Sequence, residues 1–156
     1  MKLKDGYLYH IKDEFFDLIN DNKLMKNHEE GHSRPTYFAF EEDNIFWFIP
    51  ISSKVAKYQD IVNKKIEKYG SCKTIMIRKV LNKKSVILLQ NAFPVLEKYI
   101  DHIHVKNGVH AKVADTLKKD IMKNFNYMLY LKSKGNNLFF TDIDKMKKKL
   151  LEEYKK

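Results

Sequence analysis

A chain of 156 residues is near the commonest size for one domain, and with 44% hydrophobic residues, 19 of them Phe or Tyr, it can bury a core unaided by disulfides or metals. Charged residues make up 32%, too mixed in sign and too rich in aromatic company for a disordered chain, and the net charge of +10 points to an anionic partner. Cys72 is the only cysteine, which excludes an internal disulfide and fits a reducing compartment; with no leader-like or membrane-spanning apolar run, the expectation is a cytoplasmic protein.

Residues 6–11 alternate weakly and predict a first strand, and residues 12–20, with Phe15, Phe16 and Ile19 apolar, predict a short helix. The polar stretch Asn20 to Ser33 reads as a surface loop. Thr36 to Phe40 and Ile45 to Ile51 are aromatic and β-branched runs on either side of Glu41-Glu42-Asp43-Asn44, the signature of a hairpin. Val55, Tyr58, Val62, Ile66 and Tyr69 recur at helical spacing up to Gly70. Thr74 to Leu81 and Ser85 to Gln90 predict a second hairpin across Asn82-Lys83-Lys84. Phe93 to Val105 is ambiguous, with strand favoured from Tyr99 onward. Val113, Leu117, Ile121, Phe125 and Met128 mark a helix that ends at Gly135, and a last helix runs from Asp142 to about Tyr154 with Thr141 as its N-cap. Strands that come in adjacent pairs predict an antiparallel sheet and the α+β class, as one domain over residues 1–156.

The basic set is 28 Lys and two Arg, Arg34 and Arg78, beside many Ile and Asn, so part of the lysine excess reflects an AT-rich coding bias. Bias does not segregate sign along a chain, however. Residues 1–43 carry six basic and ten acidic groups, net −4, whereas residues 44–156 carry twenty-four basic and ten acidic groups, net +14. That asymmetry favours a real basic surface on the second part.

The segment Phe48-Ile49-Pro50-Ile51-Ser52-Ser53-Lys54-Val55-Ala56-Lys57-Tyr58 is the most informative. An apolar strand ends on two serines where a helix begins, and a helix N-terminus presents unpaired N–H groups and partial positive charge. Two hydroxyls and two lysines at that point make a phosphate site. The plainer reading is a serine N-cap beside an ordinary solvated helix face, and on these residues alone it is the stronger one. Arg34 and Thr36 enter the strand that pairs with Phe46 to Ile51, which carries them toward the Ser52 end. Arg34, Thr36, Ser52, Ser53 and Lys54 would then reach one phosphate.

The order of motifs is Tyr9-x-Ile11 entering a short helix, a polar loop, Arg34-Pro35 opening a strand, a hairpin, and Ile49-Pro50-Ile51-Ser52-Ser53-Lys54. Val86-Ile87-Leu88-Leu89, Phe93-Pro94-Val95, a Lys-rich helix and a short closing helix follow. This order resembles the ToxN/AbiQ family of type III toxin–antitoxin endoribonucleases over nearly the whole chain. The resemblance implies a compact α+β domain with a twisted antiparallel sheet and about four helices, related to the Kid/MazF toxins. It implies metal-independent, cofactor-free RNA cleavage by 2′-OH attack, often at adenine-rich sites, leaving a 2′,3′-cyclic phosphate. The implied partner is a short repeated RNA antitoxin, folded as a pseudoknot in a basic groove, which the toxin processes and closes with into a ring-like assembly. Cellular or phage RNA is the implied substrate, with no membrane involved. Ser52 and Ser53 match the family's hydroxyl pair, Lys54 or Lys57 the adjoining lysine, and Arg34 the Arg before Pro. The chain departs from the family in two places. It has Thr36 where some members have a catalytic lysine, and Phe15 near where others have a tyrosine. Tyr9, Tyr37, Lys54 or Lys57 then fill the acid and base roles.

Lys118, Lys119 and Lys123 on the polar side of the Val113 to Met128 helix, with Lys106 and Lys112, are candidates to line an RNA groove; a solvated helix face is the equal alternative. Lys145 and Lys147 to Lys149 read the same way. Tyr37 and Tyr58 flank the serine junction and are candidate RNA contacts. Tyr99, Phe125, Tyr127 and Tyr130 are candidates to stack on bases, although Phe125 falls in a core register. His102-x-His104 would share one strand face, but no Cys or carboxylate stands at zinc-site spacing, so surface or groove histidines are expected and no metal. The competing classes are a non-catalytic RNA- or DNA-binding module and a scaffold for an acidic protein.

Overall fold

The computed structural model describes residues 2–29 and 31–155. β1 (Leu8–Ile11) leads into α1 (Asp13–Ile19), which closes on Asn20 in the left-handed region. The stretch expected as loop holds a small ladder, β2 (His28–Glu29) against β3 (His32–Ser33). β4 (Thr36–Glu42) and β5 (Ile45–Ser52) form the expected hairpin. Its turn is Asp43-Asn44, at φ 53° and 65°, which Asp and Asn tolerate and which matches the strand twist.

α2 (Val55–Tyr69) stops at Gly70, whose φ of 84° is open to glycine because it lacks a Cβ. β6 (Ile75–Val80) and β7 (Lys83–Leu88) make the second hairpin, turning at Leu81-Asn82, one residue earlier than expected. β8 (Phe93–Leu96) and β9 (Ile100–Ile103) resolve the ambiguous stretch into two strands, and β10 (Val105–Lys106) pairs with β11 (Val109–His110).

α3 (Asp115–Ser133) begins two residues after Val113, whose N–H instead donates to the Gly6 carbonyl at 2.9 Å. α4 (Ile143–Tyr154) is capped by Asp142, whose carboxylate accepts the Lys145 N–H at 3.1 Å. Thr141, expected as that cap, is buried and donates its hydroxyl to the Ala92 carbonyl at 2.8 Å.

Seven strands form one antiparallel sheet in the order β6-β7-β5-β4-β1-β9, with β8 also on β5. The α+β class follows. β5 is the hub: one edge pairs with β4, while the other pairs first with β8 (Ile45↔Leu96 to Phe48↔Phe93) and then with β7 (Ile51↔Ile87, Ser52↔Val86). All eight of its residues are buried, because both faces of the sheet are covered. On one face Phe48 packs with Phe38, Tyr9 and Phe93, and Phe15 of α1 stacks on Phe93. On the other, Trp47 and Phe40 meet Phe125 of α3. A strand covered on both sides reads as a continuous apolar run rather than an alternating one. Truncating Phe48 to Ala would cost about 3–5 kcal/mol.

α2 lies apart from this core. It covers a satellite cluster of Ile75, Val86 and Leu88 with Val55, Tyr58, Ile61 and Val62, and leaves Ile66 and Tyr69 exposed. Its placement sets its N-terminus beside the end of β5. No helix among the described residues is long and apolar enough to cross a membrane.

Candidate anion-binding groove

β5 ends on Ser52, which is 2% exposed; its Oγ accepts the backbone N–H of Lys54 at 3.2 Å. The Val55 N–H donates to the Ser53 carbonyl at 2.9 Å, so the chain turns sharply from strand to helix. Ser52 thus spends its side chain building the turn, while Ser53 and Lys54 stand exposed at its apex. Among the described residues no side chain caps α2.

Arg34 reaches the same place from the start of β4. Its side chain is 7% exposed, its Nη1 donates to the Ile51 carbonyl at 3.0 Å and its Nε to the Lys26 carbonyl at 3.2 Å. Its backbone N–H bonds the Asn27 carbonyl. One guanidinium therefore ties the 22–28 loop to the end of β5. Burying a charge is costly without such partners.

Between loop and junction lies a groove of about 570 Å³, within the roughly 300–1,000 Å³ of ligand sites. Lys23, Lys26, Arg34, Lys54 and Lys57 line it, with no carboxylate among the described lining residues. A larger hollow of about 1140 Å³ shares the 22–28 loop but carries Asp13, Asp17, Asp21 and Asp142, so the cationic groove is the one suited to an anion.

His28 also lines the groove, and its Nε2 meets Asp13 Oδ1 at 2.8 Å. Asn27 Nδ2 fixes the same carboxylate oxygen at 2.9 Å while donating to the Ile11 carbonyl at 2.8 Å. The Asn27 amide, then His28, hold the Asp13 carboxyl below its ordinary value. Tyr58, Asn91 and Phe140 complete the apolar and polar walls.

Of the residues expected at the site, Arg34, Ser52, Ser53, Lys54, Lys57 and Tyr58 meet in this groove. Three do not. Tyr9 is buried with its ring against Phe38 and Phe48, and its hydroxyl accepts the Lys4 N–H at 2.8 Å. Thr36 is buried and donates to the Tyr9 carbonyl at 2.9 Å. Tyr37 is 1% exposed, too enclosed to touch RNA, and burial, then Asp5, pushes its phenol up to about 12. Strand residues that face a covered side of the sheet are core, whatever their chemistry.

The outlying lysines are also away from the groove. Lys106 Nζ donates to the Leu81 carbonyl at 3.2 Å, and Lys112 lies 3.9 Å from Asp115. Lys118 is half-buried on α3, and Lys119 and Lys123 are exposed there. Phe125 is core, Tyr99 is buried, and Tyr127 and Tyr130 are exposed.

Sequence reasoning missed Lys23, Lys26, His28, Asn91 and Phe140. The loop lysines and His28 sit just before Arg34-Pro35, a signal available only once that loop is taken as a wall. It also missed a histidine network. His10 Nε2 meets His104 Nδ1 at 2.8 Å, Ser33 Oγ meets His10 Nδ1 at 2.6 Å, and His102 stacks on His10 at 4.5 Å. Burial, then His102 and His104, lowers His10 to about 4, and burial followed by His102 also lowers His104. Among the described residues no group of three His, Cys, Asp or Glu is placed to hold a metal ion.

No protein-family model and no curated protein sequence matches this chain. Its fold does match a solved structure, that of AbiQ, a lactococcal anti-phage endoribonuclease belonging to a type III toxin–antitoxin system. The TM-score is 0.75 at 12% identity, over 98% of this chain and 100% of AbiQ. The likeness is one of fold, and it is the fold that the motif order implied.

Proposed function

We propose that this chain, as one cytoplasmic domain, is an endoribonuclease toxin of a type III toxin–antitoxin system. The observation that carries the reading is the groove at the β5–α2 junction, where five cations converge with two serines. The shared fold with an endoribonuclease of such a system supports it.

RNA brings its own nucleophile, the 2′-OH. The protein has to align it with the phosphorus, accept its proton, stabilise the charged phosphorane and protonate the leaving 5′-oxygen. Arg34, Lys54 and Lys57, with the N-terminus of α2, oppose the developing negative charge. Ser53 positions a non-bridging oxygen, and Ser52 holds the turn that presents Ser53. Of the acid and base candidates, Lys54 and Lys57 line the groove, and His28, oriented by Asp13, joins them. A positioned imidazole serves as base through its free lone pair and as acid once protonated. The products are a 2′,3′-cyclic phosphate and a 5′-hydroxyl, with no metal or cofactor in the step. The antitoxin is a repeated pseudoknot RNA that the chain processes and then closes with into an assembly, using the outlying lysines Lys106, Lys112, Lys118, Lys119 and Lys123 for its backbone. Cellular or phage RNA is the other substrate.

The test is to incubate the purified chain with RNA in excess chelator and identify the new ends. Cleavage to cyclic-phosphate ends is expected, with Ser53→Ala slower by about 10²-fold or more. RNA bound but left intact would identify a non-catalytic RNA-binding module instead. Ser53→Ala cutting at the wild-type rate would remove Ser53 from the site.

A further inference from the structure

Phe140 lines the cationic groove with Ser53, Lys54 and Lys57, and it is 53% exposed. Tyr58, which also lines the groove, packs on the Ile75, Val86 and Leu88 cluster beneath α2, so its ring is already committed. A ring left in solvent forgoes the burial that makes aromatic side chains strong contributors to a core. A lone exposed apolar residue is ordinary. What sets Phe140 apart is how it is held and what stands beside it.

Its neighbours hold it outward. Phe139 is buried with its ring centre 5.8 Å from that of Phe125, and Thr141 is buried with its hydroxyl on the Ala92 carbonyl at 2.8 Å. Between those two anchors the Phe140 N–H donates to the Gln90 carbonyl at 2.7 Å. Gln90 is itself fixed, by its N–H on the Thr74 carbonyl at 3.0 Å and by Lys65 Nζ on its Oε1 at 3.1 Å. Residue 140 thus projects between two inward neighbours, on a backbone clamped to the 3₁₀ turn Leu89–Asn91. Little ordering is left for binding to complete, so a ligand gains most of the contact the ring offers.

The surroundings say which ligand. Lys23 Nζ lies 5.7 Å from the centre of the ring, and Lys26, Lys54 and Lys57 line the same groove. A lysine at that range from an exposed ring is weakly held and is free to turn to a phosphate. An apolar peptide or a lipid tail brings no charge to answer these lysines. A polyanion that carries flat apolar groups answers both, its phosphates on the lysines and a base on the ring. In a duplex the faces of each base are already stacked on its neighbours, so the base that meets Phe140 is an unpaired one.

We propose that Phe140 is the base-stacking platform of the groove, and that the groove accordingly takes unpaired RNA, with one base on the ring while the phosphates lie on the groove lysines. Stacking uses the face of a base, which every base has, so Phe140 demands that a base be present without reading which one it is. This inference rests on the reading of the groove as an RNA site, and it adds an apolar contact to the phosphate grip at Ser53, Lys54 and Arg34.

The experiment uses the full chain and uncleavable 2′-O-methyl hexamers of adenosine, of uridine and of the abasic sugar, which keeps the phosphates and lacks every base. The adenosine and uridine strands annealed to each other supply a duplex. Binding is read by fluorescence anisotropy. The wild type should bind either single strand of bases about fivefold or more tighter than the abasic strand. Phe140→Ala, an exposed change, should lose most of that difference, by similar factors for adenosine and uridine, and should leave the duplex unaffected. Phe140→Trp, which keeps a ring, should retain the difference. Equal wild-type affinities for the base-bearing and abasic strands would overturn the platform without recourse to any variant, as would an undiminished difference in Phe140→Ala. A loss for the duplex as large as that for the single strands would overturn it too, by showing that Phe140 shapes the groove rather than meets the base. Cleavage of the matching unmodified hexamers is scored separately. A chain that senses the base through Phe140 without cutting would sink the nuclease reading and leave the platform standing. One that cuts with no response to the base would do the reverse, and one that binds no strand would overturn both.

Discussion

Arg34 Nη1 donates to the carbonyl of Ile51, seventeen positions along the chain, at 3.0 Å, immediately before the two serines. The bond does two jobs at once. It fixes where β5 ends, and it holds a cation against the floor of the groove. The first prediction follows from the fork of the guanidinium, whose Nε and Nη1 serve two carbonyls that belong to different segments. A lysine keeps the charge but reaches only one of them. Arg34→Lys should therefore lose about 1–3 kcal/mol, the cost of leaving a buried carbonyl unpaired, and should also cut RNA more slowly. Urea melts and a cleavage assay on the same preparation check both halves. A variant with unchanged stability would show that the tie between loop and strand is not structural.

His10 gives a pH signature to the fold itself. Its ring is buried between Ser33, His104 and the stacked His102, and the Asp101 carboxylate opposes the lowering only weakly. In the folded chain it titrates at about 4, against 6.5 for an ordinary imidazole. Between those values the unfolded chain holds a proton that the fold does not. Stability is thus complete above about pH 6.5, is lost as pH falls toward 4, and loses nothing more from this group below that; the whole step is at most about 3 kcal/mol. Asp13, held below its ordinary value, loses its contribution in a lower window, as pH falls through the acid range of carboxylates. Urea melts from pH 4 to 7.5 should show the slope, and His10→Gln should flatten it. An unchanged slope in that variant would place the linkage elsewhere.

The His28–Asp13 pair makes a prediction about turnover. If His28 moves the proton, His28→Ala should lower kcat by about 10²-fold or more with little change in the affinity for RNA. Asp13→Asn should fall between wild type and His28→Ala, because it loosens the ring without removing it. Single-turnover cleavage alongside anisotropy binding separates the two effects. A loss confined to affinity would reduce His28 to a groove cation.

How much of this was legible beforehand depended on how local the signal was. The Ser52-Ser53-Lys54 junction was readable because strand, serines and helix are consecutive, and each has its own periodicity or capping chemistry. The hairpin turn at Asp43-Asn44 and the helix stop at Gly70 were readable for the same reason. Tyr9, Thr36 and Tyr37 were misplaced because β1 and β4 sit inside a sheet covered on both faces. There, alternation no longer says which side chains meet solvent. Thr141 was expected as a cap since it precedes α4, but its hydroxyl is drawn to Ala92, 49 positions away. Asn91 has no local signal at all. It comes to the groove wall through a turn whose neighbouring carbonyls, Gln90 and Ala92, are held by Phe140 and Thr141, distant in sequence. His10 likewise acquires its environment from β9 and from Ser33, neither of which is near it in sequence.

The last prediction concerns salt, and it separates the groove from the outlying lysines. Each phosphate contact to a single strand contributes about −0.7 to the slope of log K against log salt. With Lys23, Lys26, Arg34, Lys54 and Lys57 all on phosphates, a short oligonucleotide should show a slope no steeper than about −3.5. Replacing Lys23, Lys26 and Lys57 by Gln should reduce that slope by about 2. The exposed Lys119 and Lys123 lie on α3, away from the groove, so their replacement should leave the short strand unaffected and weaken only a long, folded RNA that reaches them. Slopes measured from 50 to 300 mM salt for both kinds of RNA check this. A short strand that senses the α3 lysines as strongly as the groove lysines would mean that the phosphates do not lie at the β5–α2 junction.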